Sequence, residues 1–215
     1  RIVADGAQSF GGKQHGKWVG AIAEITGTSF YPTKALGGYG DGGAILTTDK
    51  EFGDILRSIR WHGTDNQRKV SVRVGINGRC DSIQCAVVSE KLEIFNAERE
   101  RRTQIGAIYE ERLKGVVGLQ KPTPGGEHGY GLFTVRVDER DDVRAKLSES
   151  GVPTAIYYDT SLHRMDAFAP YAPAGGLPGC DECAQTAMSL PMHPYLGDAQ
   201  AHRVCDVLEA ALEHR

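Results

Sequence analysis

Long apolar runs are missing from this 215-residue sequence, and none approaches the roughly 18 residues that a membrane-spanning helix needs. A long basic run is missing too. With a formal net charge of -3, the chain carries no electrostatic footprint for nucleic acid or anionic membrane. No charged-then-apolar leader opens it, so a cytoplasmic location is expected. Cysteine is sparse: Cys80, Cys85, Cys180, Cys183 and Cys205 form an odd, scattered set, which argues against a disulfide framework. Cys180 and Cys183 make a single C-x-x-C with no second pair at zinc-ribbon spacing, although His193 lies downstream; reduced, packing cysteines and no metal are the expectation. Repeats and low-complexity tracts are absent. So is an initiating methionine: Arg1-Ile2-Val3-Ala4-Asp5 opens inside an apparent strand, which reads as a fragment of something longer.

Glycine, by contrast, is concentrated. The stretch SFYPTKALGGYGDGGAI, residues 29 to 45, sets one lysine, Lys34, just before five glycines in seven positions. Glycine loses more backbone entropy on folding than any other residue, so such a cluster implies a tight turn or a close approach. A Walker A loop does not fit, because its lysine follows the glycines. Gly38, Gly40 and Gly43 satisfy G-x-G-x-x-G, but the residues that follow, Ala44 to Thr48, read as a strand where a dinucleotide site needs a helix. A surface turn with a solvated lysine is the plain alternative.

Along the chain, Ile2 to Ala4 has the form of a buried strand with Asp5 at its carboxyl end, and Ala21 to Phe30 and Gly43 to Thr48 lean to strand. Asp49 is placed to cap a helix with apolar positions Phe52, Ile55, Leu56 and Ile59. Asp81 starts a second helix with Ile83, Val87, Leu92 and Phe95, bent or broken near Asn96 and continuing through Ile105, Ile108, Tyr109 and Leu113 to Gly115. The run from Glu98 to Arg102 reads as a solvated helical face. The Gly- and Pro-rich stretch 116–131 marks a domain boundary, giving 1–115 and 116–215. Beyond it a strand is expected at Leu132 to Val137, a helix at Asp141 to Ser150 and a strand at Val152 to Tyr158. Helices are expected at Cys180 to Ser189 and Asp198 to Glu213. The first part has the form of the end of an α/β domain and the second that of a small α+β domain.

A catalytic lysine needs a lowered pKa or an imine partner, and the common imine partner is pyridoxal phosphate. That cofactor asks for a carboxylate at its pyridine nitrogen and for hydroxyl and N–H donors at its phosphate. Asp5 and Ser29 are available for these tasks. Ordinary readings exist as well: Asp5 as a loop cap and Asn77, in Gly75-Ile76-Asn77-Gly78, as a turn residue, while Ser29 alone carries no signal.

Five segments then fall in order: Asp5 to Phe10, Thr28 to Lys34, Gly40 to Gly43, Gly75 to Gln84, and Ser189-Leu190-Pro191-Met192-His193-Pro194. Together they resemble the DegT/StrS family of nucleotide-sugar aminotransferases. The resemblance implies a pyridoxal-phosphate-dependent transferase of fold type I, here a partial large α/β domain, 1–115, and a small C-terminal α+β domain, 116–215. It implies that Lys34 forms the imine and shuttles protons, that Asp5 pairs with the ring nitrogen, and that Ala7 packs on the ring. It also implies that Gln8 sits near the ring hydroxyl, Ser29 holds the phosphate, and Asn77 reaches the phosphate of a neighbouring subunit, hence a homodimer with shared sites. The version Gly-x-Asn-Gly-Arg-x-Asp-x-x-Gln is most similar to members acting on a UDP-linked 3-keto sugar uronate with L-glutamate as donor. On that likeness Arg79 faces a carboxylate, or else pairs with Asp81 or a neighbouring helix, and Tyr158 and His163 lie at the sugar pocket. This chain departs from the family where Tyr157 to Thr160 replace a Pro-rich segment and a His-Tyr pair, and at Met165, where a glutamine is frequent. Two rivals stand beside this reading: a dehydratase of the same fold, which lacks the lysine and against which Lys34 therefore speaks, and, more seriously, a non-catalytic interaction or scaffold domain.

Overall fold

The computed structural model describes residues 2–213. By internal contacts the chain forms two compact units, residues 1–100 with 122–131, and residues 101–121 with 132–215.

In the first unit, β1 (Val3–Asp5) lies parallel to β4 (Ile25–Ser29), in the register Val3 with Ile25 and Asp5 with Gly27. Between them β2 (Lys13–Gln14) and β3 (Lys17–Trp18) form a hairpin. Its turn residues His15 and Gly16 both have positive φ, at 48° and 75°, the backbone that two-residue hairpins favour. β5 (Gly43–Leu46) returns antiparallel to β4, so the sheet order is β1-β4-β5. Next comes α1 (Lys50–Arg60), whose first turn is capped by the Asp49 carboxylate accepting the Phe52 N–H at 2.9 Å. None of its residues is buried: the face carrying Phe52, Ile55, Leu56 and Ile59 is only half covered.

α2 (Ser82–Leu113) is one continuous helix of 32 residues, with no break at Asn96. Its buried residues differ in part from the expected set. Phe95 is buried as expected and Val88 is buried besides, whereas Ile83 and Leu92 stay exposed, because the helix faces the lysine loop through positions 84, 88, 91 and 95. The charged run after Glu98 is not a plain solvated face either. Arg99 stands 5.1 Å from the Trp18 ring, while Arg102 is buried and donates to the Met192 carbonyl at 3.2 Å. From Arg101 onward α2 belongs to the second unit.

Past α2, β6 (Gly118–Leu119) pairs within the second unit, but β7 (Gly126–Glu127) turns back to pair with β2. The Gly- and Pro-rich stretch therefore divides between the two units. β8 (Phe133–Arg136) is followed by α3 (Arg140–Glu149), closed by Gly151 at φ 75°. The residues from Val152 to Tyr158 form no strand; only Ala155 bridges to Ser189. α4 (Pro178–Thr186) ends before Ser189, since Ala187 to Leu190 form β9, the partner of β8. α5 (Asp198–Glu213) closes the chain as expected. Ile105, Tyr109, Leu113, Val135, Leu147, Met188 and Leu208 make the core of this unit, and the Tyr109 hydroxyl donates to the Pro191 carbonyl at 2.8 Å.

Candidate functional site

Strand alternation decides which side chains meet on the sheet of the first unit. From the register, Val3, Asp5, Ile25, Gly27, Ser29, Gly43 and Ile45 share one face, and Thr26 and Thr28 point to the other, where they are buried. The first face is open, with Val3 70% and Ile45 55% exposed. The expectation of a buried first strand is thus corrected: among the described residues no element covers that side of β1. Asp5 and Ser29 end the two parallel strands at the same edge of the sheet, with Gly27 between them in register with Asp5. A side chain built on Gly27 would project into open space, so the glycine keeps a flat gap between a carboxylate and a hydroxyl. An open concavity of about 1270 Å³ runs over this face, lined by Asp5, Ala7, Gly27 and Ser29 on one side and by Leu56, Arg57, Arg60 and Ile76 on the other.

The two polar groups are partly engaged. Asp5 Oδ1 accepts the Ala7 N–H at 2.9 Å, which holds Ala7 beside it. Ser29 Oγ accepts the Tyr31 N–H at 3.2 Å, which leaves its O–H free to donate.

Lys34 follows five residues after Ser29, on a loop that α2 pins in place. The Lys34 N–H donates to the Tyr31 carbonyl at 2.9 Å, and the Gly38 N–H closes the loop on the Phe30 carbonyl at 2.7 Å. Leu36, Ala35 and Phe30 pack against Val88 and Phe95, and Lys91 Nζ donates to the Gly37 carbonyl at 2.8 Å. The glycines now have reasons. A Cβ on Gly37 would lie 2.7 Å from the Pro32 carbonyl oxygen, and one on Gly38 would lie 3.0 Å from Gln84 Oε1. That same Gln84 oxygen accepts the Tyr39 N–H at 2.7 Å. Gln84 belongs to a quoted motif, yet its role was not legible from the sequence, since only the folded loop brings Tyr39 to it.

Neither Lys34 nor Gln8 lines the concavity. Gln8 sits in the turn after β1, its carbonyl close to Gly131. Asn77 and Arg79 do meet: Arg79 Nε donates to Asn77 Oδ1 at 3.0 Å, and the Arg79 guanidinium lies 4.3 Å from the Trp61 ring centre, with Arg68 at 3.9 Å from the same ring. Asp81 instead caps α2, accepting the Ile83 N–H at 2.8 Å. Trp61 and Arg68 were missed because their stacking depends on a loop crossing: His62 N–H donates to the Ile76 carbonyl at 3.0 Å, and Gly63 and Gly75 pass so closely that a Cβ on either would overlap the other strand of the loop.

In the second unit, Tyr158 is exposed and meets Tyr157 edge to face at 5.8 Å. The His163 side chain is nearly covered, and its Nε2 lies 3.2 Å from Asp181 Oδ1, in ion-pair range though off the line of a hydrogen bond. Arg164 grips the same carboxylate, Nη2 to Oδ2 at 2.6 Å and Nε to Oδ1 at 3.2 Å. The Arg164 hydrogen bonds, with the charges of Arg164 and His163, hold the Asp181 carboxyl down from an ordinary 3.8 to about 2. Asp181, hidden inside the C-x-x-C pattern, offered no signal of this pairing.

With this geometry in place, likeness to known proteins becomes specific. A family model, the DegT/DnrJ/EryC1/StrS aminotransferase family, matches residues 1–209. The UDP-2-acetamido-2-deoxy-3-oxo-D-glucuronate aminotransferase of Pseudomonas aeruginosa is 41% identical over 208 residues, covering 96% of this chain and 57% of that protein. The dTDP-3-amino-3,4,6-trideoxy-alpha-D-glucose transaminase of Streptomyces venezuelae is 37% identical over 210 residues, covering 96% of this chain and 55% of that one. A crystal structure of a DegT DnrJ EryC1 StrS aminotransferase from Brucella abortus superposes with a TM-score of 0.93 at 41% identity, over 97% of this chain and 56% of that one. S. venezuelae DesV, in complex with a ketimine intermediate, superposes at 0.94 and 36% identity, over 99% and 58%. The chain thus spans little more than half the length of the relatives it matches.

Proposed function

We propose a function from one premise: this chain belongs to the DegT/DnrJ/EryC1/StrS aminotransferase family. It is the part of a nucleotide-sugar aminotransferase that carries the cofactor lysine. The reaction moves an amino group from L-glutamate to a UDP-linked 3-keto sugar, a precursor of cell-surface polysaccharide, in the cytoplasm. The observation that carries this reading is the shared edge of β1 and β4, where Asp5 and Ser29 flank a gap kept open by Gly27 just before the Lys34 loop. The kinship with a named 3-keto-uronate aminotransferase at 41% identity supports the choice of sugar.

These residues fit pyridoxal 5'-phosphate. When bound, that group supplies an electron sink for the carbon that gains or loses the amine. Lys34 would hold it and would carry the proton to and from the reacting carbon as general acid and base. The Asp5 carboxylate would face the ring nitrogen, and its bond to the Ala7 N–H fixes that carboxylate's orientation. Ala7 gives the ring a smooth face and Gln8 bonds its hydroxyl. Ser29 donates its free O–H to the phosphate. Asn77 serves the phosphate of the partner subunit in a homodimer. Arg79, oriented by Asn77 and Trp61, presents a guanidinium fork to the uronate carboxylate. Tyr158 and His163 contact the sugar, with Asp181 setting the His163 ring.

The test is covalent capture. With pyridoxal phosphate and borohydride, the protein expressed from its complete reading frame should carry the pyridoxyl mass on Lys34, and Lys34→Ala should abolish both the adduct and turnover. Capture on another lysine, or none, rejects the assignment. Because donor and acceptor use one site in turn, double-reciprocal plots should be parallel, and intersecting lines exclude that order. A second reading concerns the 215-residue chain alone, as a non-catalytic domain of the same fold. The exposure of Val3 and Ile45 on the sheet face that bears Asp5 favours it, since much of the concavity there is open to solvent. Weak capture by this chain beside strong capture by the complete protein is the expected result.

A further inference from the structure

Two thiols at the start of α2 have no part in the scheme above. Asp81 is the cap of that helix: its side chain accepts the Ile83 N–H, and its carbonyl accepts the Cys85 N–H at 2.9 Å. Cys80 therefore precedes the cap and Cys85 is the fourth helical residue. Side chains at those two positions meet across the first turn of a helix, where apolar residues form a hydrophobic staple. In this chain both staple positions are cysteine. Cys80 is half-buried, its sulfur against Gly42, where a Cβ would lie 3.1 Å away, whereas Cys85 is exposed. The Cys80 thiol is pushed above its ordinary range, first by burial and then by the Cys85 thiol hydrogen-bonded beside it. The exposed Cys85 is thus the sulfur that meets an oxidant, and Cys80 the one that answers.

We propose that Cys80 and Cys85 form a reversible redox pair that closes to a disulfide when the protein meets a peroxide. The Cys85 thiolate attacks the O–O bond, takes one oxygen as a sulfenic acid and expels hydroxide, which gains a proton to become water. The Cys80 thiolate then attacks the Cys85 sulfur, forming the S–S bond and releasing a second water. Two thiols are oxidised and one hydrogen peroxide is reduced to two waters. The bridge ties the residue after Arg79 to the first turn of α2. It also sits against Gly42, whose carbonyl accepts the Phe30 N–H at the neck of the lysine loop.

Cleavage after Arg79 and Lys91 places both cysteines in one peptide, so mass spectrometry reads the bridge directly. After brief hydrogen peroxide treatment of the folded full-length protein, that peptide should lose the mass of two hydrogen atoms and regain it with dithiothreitol. In Cys85→Ser, Cys80 should remain a free thiol; in Cys80→Ser, Cys85 should advance to sulfinic or sulfonic acid. The proposal is overturned if Cys85 in the unaltered protein gains oxygens while Cys80 stays free. It is equally overturned if the bridge forms as fast in urea-unfolded chain, because the fold would then contribute nothing, or if the only bridge formed joins Cys180 to Cys183.

Discussion

Asp181 illustrates how one carboxylate can organise several neighbours. Its folded pKa is depressed, so its contribution is complete above the ordinary value of 3.8 and is lost as pH falls through about 2. Acid titration of Tm should therefore show a fall across that window that Asp181→Asn makes shallower. An equal slope in the variant would mean that Arg164 and His163 gain nothing from the charge. The other residues differ in how much of their task the sequence disclosed. Asp49 announced itself as a cap by standing before a helical period, because capping is local. Lys34 drew attention by its own glycine-rich stretch, whereas Asp5 and Ser29 gained weight only as members of linked motifs, since a strand-end acid or a hydroxyl near a turn is common. Trp61, Arg68, Gln84 and Asp181 stayed silent, their partners lying up to 45 positions away along the chain.

Among the elements, α2 does the positioning. Gln84, Val88, Lys91 and Phe95 recur at helical spacing, and all four hold the lysine loop or the cluster beneath it. The periodicity of apolar residues pointed to Phe95 but also to Ile83, Val87 and Leu92, because two of the four contacts on the working face are polar. Gln84→Ala should free the Tyr39 N–H at a cost of about 1 kcal/mol, seen as roughly fivefold faster exchange of that amide. Unchanged exchange would show that the loop is held by Leu36 and Phe95 alone. Strands were legible where alternation or apolar runs were long, as in β4 and β8. The β2–β3 hairpin and β9 were not: the first is two residues per strand, and the second follows directly on a helix with no Gly or Pro to mark the change.

For the molecule as a whole, the succession of expected strands and helices, with the family resemblance, already indicated an α/β fold, and superposition on family members at TM-scores above 0.9 agrees with it. Exposure was not legible, because a run such as Ile2-Val3-Ala4 has the same apolar pattern whether or not a neighbour lies across it. Among the described residues Val3, Ile45 and Ile76 stand open around the concavity. The 215-residue chain should accordingly bind an apolar fluorescent dye, and Val3→Ser with Ile45→Ser should reduce the signal. Dye binding that ignores both changes would place the open apolar surface elsewhere.

The crossing of Gly63 and Gly75 has a consequence for variation. With two backbones touching at the neck, and Trp61 bridged to Asn77 just outside it, the ends of this loop stay in register whatever happens at its tip. Residues between Asp65 and Val70, beyond the paired Thr64 and Ser71, can therefore lengthen, shorten or drift at little thermodynamic cost, since closing a longer loop adds only a fraction of a kcal/mol. Diversity among related chains is free to gather there, on a noose whose knot admits no side chain.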